Sequence, residues 1–275
     1  MRFVEYSHRH ADAIIAHDSH LKERYTQFVD VLKSISDDEL IEDFIKRKDE
    51  HKTRKTAFKS MTPSINGLIK ERLNDIPGWK AEVDIFNDET GVITNTEWRL
   101  DFACDDAFCV EVAFNHGEAI AWNLLKPVLS CELNHVKKAI QGQIGIYVCA
   151  TDNMKHASNI DSSSGSYEKV LRYLQPMMNQ LTIPMMIIGL EPFETFKIGA
   201  NAEIIRTNTI LKKALINHKV EITKMDDYST YTGTVIDIDD TFFEGKREKK
   251  ITIQKTKNNS QQFTERAIRF LEVLR

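Results

Sequence analysis

The segment RLDFACDDAFCVEVAF, running from Arg99 to Phe114, carries two carboxylates ten positions apart, Asp101 and Glu111. β-Branched and aromatic residues flank a turn signal at Asp105-Asp106, which reads as a hairpin. In FCVEVAF, strand alternation puts Val110, Val112 and Phe114 on one face and Glu111 and Ala113 on the other. Two neighbouring strands can therefore deliver two carboxylates to one place. Magnesium takes hard oxygen ligands, usually one or two carboxylates with several waters. Such an ion polarises a phosphate, activates water and neutralises developing charge, which are the requirements of phosphodiester hydrolysis. A Glu among apolar neighbours is costly to bury unless something pairs it, and a metal is one such partner. The same pattern also fits an amphipathic hairpin with Glu111 facing water, and the residues alone leave both readings open.

The surrounding elements must hold that hairpin. MRFVEYS alternates like a short first strand. Helical periodicity covers Ala11 to Ile45, with a second start signal at Ser36-Asp37-Asp38-Glu39. The stretch from Lys46 to Lys59 carries seven Lys or Arg against two acids, and reads as a solvated segment or a phosphate-facing arm. SMTPSINGLIKERLNDIPGW reads as a helix with Thr62 as N-cap and Pro63 in first position. KAEVDIF, GVITNTEWRLDFA and FCVEVAF then form an antiparallel meander. A helix is predicted from about Ala119 to Gln141, a buried strand at QIGIYVCAT, a helix from Tyr167 to Gln180 and a buried strand at IPMMIIGL. The C-terminal part reads as a hairpin, TGTVIDIDDTFFEGKREKKITIQK, followed by a helix with Phe263, Ile268, Phe270 and Leu271. Within it, Gly245 to Lys257 has six Lys or Arg against one Glu. This fits a hairpin reaching for phosphates or an edge strand protected by Lys.

The pattern predicts an α/β (α+β) chain: a mixed β-sheet flanked by helices, a helical N-terminal arm and a β-rich C-terminal appendage. It reads as one domain over 1–275, with a core to Pro192 and an extension over 193–275. The net charge of −4 neither announces nor excludes nucleic acid, because binding depends on local patches. Cys104, Cys109, Cys131 and Cys149 form no Cys-x-x-Cys pair, so reduced, inert thiols are expected. The first residues are too polar for a signal peptide, and no run of 18 apolar residues exists. A cytoplasmic protein without membrane association is the expectation.

Several of these segments, in order, resemble the BglII/BstYI-type restriction endonucleases within the PD-(D/E)xK nuclease fold. They are MRFVEYSH, TPSINGLIKERLNDIPGWK, LDFACDDAFCVEVAFNHGEAIAWNLLKP, QIGIYVCATDNMK, DSSSGSYEKVLRYL and IPMMIIGLEP, spanning Met1 to about Pro192. The resemblance implies a homodimer that hydrolyses double-stranded DNA with Mg²⁺ at a short palindromic site, with a central GATC. It implies Asp101, Glu111 and the Val112 carbonyl as metal ligands, and matches Asn66 to a helix residue that helps hold water and metal. The family places a Gln, Glu or Lys two residues after the Glu, where this chain has Ala113. By alternation Asn115 shares the face of Glu111 and is the best local substitute. Glu118 and Glu71 are further candidates. Sequence readout would come from Asn115, His116, Ser162, Ser163 and Ser164, which can hydrogen-bond base edges. Dimerisation would use the helix carrying Trp122 and Leu125, or the one after it. The departure at Ala113 also fits a relative that binds DNA with a decayed site. An interaction protein with a merely acidic hairpin would show no salt-dependent DNA binding.

Overall fold

Residues 1–51, 58–87, 98–132, 137–206, 215–243, 246–257 and 259–274 are described in a computed structural model of the protein. β1 (Phe3–His8) is followed by α1 (Ala11–His17), α2 (Ser19–Ser34), α3 (Asp37–Glu50) and α4 (Thr62–Asn74). Next come β2 (Trp79–Asp84), β3 (Arg99–Cys104), β4 (Phe108–Ala113) and α5 (Ile120–Cys131). β5 (Ile144–Ala150), α6 (Asp152–Ala157), α7 (Tyr167–Leu174) and β6 (Met185–Leu190) complete this part. The strands form one six-stranded sheet in the order β1-β6-β5-β4-β3-β2.

The apolar runs determine which strands are central. Every residue of β4, β5 and β6 is buried, as expected of parallel strands covered on both faces. β4 pairs with β5 and β5 with β6 in parallel, each joined by a connection that contains helix. β1 closes one edge antiparallel to β6, and β3 and β2 extend the other as the predicted meander. α5 lays Ile120, Leu124 and Val128 over Ala113, Tyr147 and Ile187. Among the described residues no helix is long and apolar enough to cross a membrane.

The start signal at Ser36 is a full capping box. The Ser36 side chain accepts from the Glu39 amide, and the Glu39 carboxylate accepts from the Ser36 amide at 2.9 Å. Arg72 of α4 then ion-pairs with Glu39, so the cap also ties α3 to α4. The Ser36 hydrogen bonds hold the Glu39 carboxyl down at about 2. Ser36→Ala is expected to cost about 1 kcal/mol of stability, read as a lower urea midpoint at unchanged slope. Because the Glu39 value is depressed, this contribution should fade as pH falls from 4.5 toward 2.

Several expectations are corrected. Met61, not Thr62, is the N-cap of α4; Thr62 and Pro63 are already helical. No side-chain cap is made, because methionine has no oxygen to accept from the first amides; buried Met61 instead anchors the entry through its own amide, which donates to the Ser158 carbonyl. α5 ends at Cys131 rather than at Gln141. Lys137, Lys138 and Ala139 instead bridge to the chain at Ile85 to Asn87, so strand-like pairing overrides the helical period there. α7 stops at Leu174, with turns to Gln180. Of the strand predicted from Gly91, residues up to 97 lie outside the described set. The same holds for residues 52–57 of the basic stretch, while Lys46 to Glu50 are helical in α3.

The chain divides into two compact units, Met1–Pro192 and Phe193–Arg275. The second holds a small pair, β7 (Phe196–Ile198) and β8 (Ile204–Arg206). It also holds β9 (Lys219–Lys224), β10 (Thr230–Phe243), β11 (Lys246–Thr256), β12 (Asn259–Thr264) and β13 (Ile268–Val273), in the order β12-β11-β10-β9-β13. The predicted β10–β11 hairpin is present. The predicted final helix is not: Phe263 lies on β12, and Ile268 and Leu271 on β13. A short 3-10 turn at Glu265–Ala267 separates these strands, and it spaced the apolar residues at near-helical intervals. All three reach one core with Val220, Ile222 and Ile251.

Candidate active site

The β3–β4 ladder runs from Cys104↔Phe108 to Phe102↔Val110. Beyond it, the amide of Val112 donates to Asp101 Oδ2 at 2.7 Å. A side chain thus takes over where backbone pairing stops, and it fixes Asp101 against the backbone of β4. Glu111 lies one residue before that amide and is only 3% exposed. The water-facing alternative for Glu111 is therefore excluded. Burial, then the Asp101 charge, push the Glu111 carboxyl up to about 8, partly offset by Lys126. Burial also raises Asp101, opposed first by the Val112 hydrogen bond. A buried carboxylate and a half-buried one that repel each other resist joint ionisation, and a cation relieves both.

One cation is already supplied by the chain. Lys126 of α5 brings Nζ to 3.1 Å from Glu111 Oε2 and 3.3 Å from Oε1. Sequence reasoning missed it. The available signal was a lone charge in the apolar run Leu124-Leu125-Lys126-Pro127-Val128-Leu129.

At Asp101 and Val112 lies a cavity of about 130 Å³, lined also by Asn66, Lys70, Glu82 and Phe102. It is roomy enough and polar enough to hold water. Asn66 Oδ1 is buried without a hydrogen-bond partner. A buried orphan acceptor is costly, and its position on this cavity makes it available to water or to a cation. Glu82 and Lys70, also missed, form an ion pair at the rim. Glu82 has φ of +53° inside β2, and the β2–β3 register passes over it, from Ala81↔Phe102 to Val83↔Leu100. That backbone conformation is unfavourable for a non-glycine residue and often accompanies function. Glu71 and Glu118 are exposed and do not line the cavity.

The proposed reading residues meet through two loops. His116 bridges Ser164, and His116 Nδ1 lies 2.6 Å from Ser163 Oγ. Gly117 N–H donates to the Ser163 carbonyl and Gly165 N–H to the Asn115 carbonyl. Lys155 Nζ donates to the carbonyls of Ser162 at 2.9 Å and Ser164 at 2.7 Å. The serine loop is thus a fixed platform rather than a loose connection. Ser162, Ser163, Asn115 and His116 are exposed on it, whereas Ser164 is buried. Asn115 Oδ1 accepts from Asn123 Nδ2 at 3.0 Å, so it is held by α5. The basic β10–β11 turn has Glu244 and Gly245 outside the described residues.

Among the described residues no group of three or more His, Cys, Asp or Glu is placed to hold a metal ion. A hard divalent cation does not require one, since one or two carboxylates with backbone oxygen and waters suffice. The donor set here is of that kind: two crowded carboxylates, an adjoining cavity and an orphan amide oxygen on its wall. The residues present fit such an ion.

Comparison with known proteins adds the lineage. The family model described as restriction endonuclease BglII/BglIII matches residues 3–190. No curated protein matches the chain. A crystal structure of restriction endonuclease BglII complexed with a DNA 16-mer superposes with a TM-score of 0.50 at 18% identity, covering 96% of this chain and 100% of that one. A crystal structure of free BglII has a TM-score of 0.40 at 14% identity, with the same coverage. The mixed sheet and its flanking helices match the BglII fold, and the matched residues contain the whole carboxylate site. The chain belongs to the BglII/BglIII family of restriction endonucleases, enzymes that hydrolyse DNA phosphodiester bonds at specific sites.

Proposed function

We propose that the protein is a Mg²⁺-dependent cytoplasmic enzyme that acts as a homodimer on a short palindromic duplex and cuts each strand once. The observation that carries this reading is the pairing of half-buried Asp101, which lines a cavity, with buried Glu111, whose carboxyl is pushed up to about 8 by burial and by Asp101. Asp101, Glu111 and the Val112 carbonyl would hold the metal. When bound, Mg²⁺ polarises the scissile phosphate, lowers the pKa of water and neutralises developing charge. Asp101 keeps the end of β4 in register through the Val112 amide. Asn66 offers its unpaired Oδ1 to orient a water in the cavity. Asn115, His116, Ser162 and Ser163 would present donors and acceptors to base edges, with buried Ser164 bridged to His116 beneath them and the loop carbonyls clamped by Lys155. BglII was crystallised with DNA, and a related duplex is the expected ligand here. Trp122 stands 41% exposed on α5 against the ring of Trp98, which supports this helix as the dimer contact. Light scattering should then give twice the chain mass.

The test is cleavage of DNA from diverse sources with Mg²⁺ and with EDTA, using Glu111→Ala as control. Discrete fragments with Mg²⁺ alone, and none from the variant, are expected; mapping their ends tests the GATC-centred site. Failure to cut any DNA would sink the enzymatic reading. A second reading, a DNA-binding relative with a weakened site, is favoured by Ala113. It is distinguished by salt-dependent, site-specific binding without cleavage.

A further inference from the structure

We infer that Lys126 of α5 replaces the polar residue that Ala113 lacks, and that its ammonium is a catalytic group facing the scissile phosphate beside Glu111. This rests on the nuclease reading above. The first support is that position 113 has no room for polarity. Ala113 is buried among Ile120, Leu124, Val128 and Tyr147, where α5 covers β4. A Gln or Lys side chain there would be buried among hydrocarbon, at a desolvation cost.

The second support is that the same helix returns a charge to the same carboxylate. Lys126 contacts both Glu111 oxygens and is itself only 15% exposed. An ammonium has three donors and no acceptor. Two of them suffice for Glu111, leaving one for an oxygen that enters the site.

The third support is that its backbone is held in place. Asn123, one turn earlier, is buried and donates to Asn115 Oδ1. Pro127, the next residue, packs on Gly145 of β5, where an added Cβ would lie 3.0 Å from Pro127 Cβ. Glycine at 145 thus lets α5 approach closely enough for Lys126 to reach Glu111.

In the reaction, a water oxygen forms a bond to phosphorus and the ester bond to the leaving sugar oxygen breaks with its electron pair. The leaving oxygen takes a proton from solvent, and the attacking water loses one to solvent. Lys126 gives up no proton. Its fixed positive charge offsets the negative charge that gathers on the phosphate oxygens.

The test compares wild type, Lys126→Met, Lys126→Gln and Lys126→Arg in single-turnover cleavage with Mg²⁺. It also measures binding, with Ca²⁺ or EDTA, to a duplex around a mapped wild-type cut. Met and Gln variants are expected to cleave about 10²- to 10³-fold more slowly, and Arg within about tenfold of wild type. Ca²⁺-stimulated binding should stay within about threefold in all of them. Cleavage by Lys126→Met within threefold of wild type overturns the inference while leaving the nuclease reading intact. So does loss of Ca²⁺-stimulated binding, which would mean that Lys126 only props Glu111. Should the Met variant fail to fold, Gln and Arg variants of equal activity overturn it, and an active Arg with an inactive Gln supports it. An inert wild type overturns the nuclease reading and this inference together.

Discussion

Glu111→Gln is expected to abolish DNA cleavage and, at pH 8 and above, to raise the melting temperature of the metal-free protein. The catalytic loss follows from removing one of two carboxylates that would hold the cation. Several kcal/mol of transition-state stabilisation is involved, and about 4 kcal/mol corresponds to roughly 10³-fold in rate. The stability gain follows from the raised Glu111 carboxyl, from 4.5 to about 8, by burial and by Asp101. A group whose folded value is raised binds its proton more tightly in the native state. Stability therefore falls as pH rises between 4.5 and 8, because the unfolded chain ionises first. At about 1.4 kcal/mol per pKa unit, the total is on the order of 5 kcal/mol. Glutamine is isosteric with the protonated acid and keeps an acceptor for Lys126, so the variant should match wild type at pH 4 and exceed it at pH 8. Mg²⁺ should reverse the order, stabilising wild type by about 2.7 kcal/mol at one hundred times its dissociation constant and the variant far less. Calorimetric melts with and without Mg²⁺ across this range decide the matter. A variant no more stable than wild type at pH 8 would mean that Glu111 is comfortably ionised and that the crowding argument is wrong.

Asp101→Ala is expected to lose cleavage to a similar extent but with the opposite effect on stability. Asp101 is also a structural acceptor, taking the Val112 amide at 2.7 Å where the β3–β4 ladder ends. Alanine leaves that amide without its partner beside β4, at a cost of about 1–3 kcal/mol. Asp101→Asn keeps an oxygen for the amide and removes a charge that pushes Glu111 up, so it should be equally inactive yet at least as stable as wild type at pH 8. Denaturant titrations of the two variants, paired with cleavage rates, test this. If alanine and asparagine unfold at the same midpoint, the Val112 hydrogen bond contributes nothing.

The difference between the two carboxylates shows how far the chain could be read without its structure. Asp101 and Glu111 stood out because they interrupt apolar alternation in strand-like segments, and period-two patterning is local information. The central strands were legible for the same reason: continuous apolar runs in β5 and β6 permit burial on both faces. The capping box at Ser36 was legible because its partners lie three residues apart. Local signals failed where a distant segment competed. The run after Cys131 kept a helical period, yet it pairs with Ile85 to Asn87. Phe263, Ile268 and Leu271 mimicked a helix because a 3-10 turn spaces two strands.

Sequence by itself thus determined the apolar pattern of the sheet, the positions of two carboxylates and the absence of a polar group at Ala113. Tertiary structure decided that Glu111 is buried, that Lys126 answers it from α5, and that Asn66 and Glu82 border the same cavity. It also joined the segment at His116 to the serine loop. Fifteen residues separate Lys126 from Glu111, and the register of a helix over a strand depends on packing volumes such as the missing side chain at Gly145. Charge-to-charge distance is a property of that packing, and no local spacing rule encodes it.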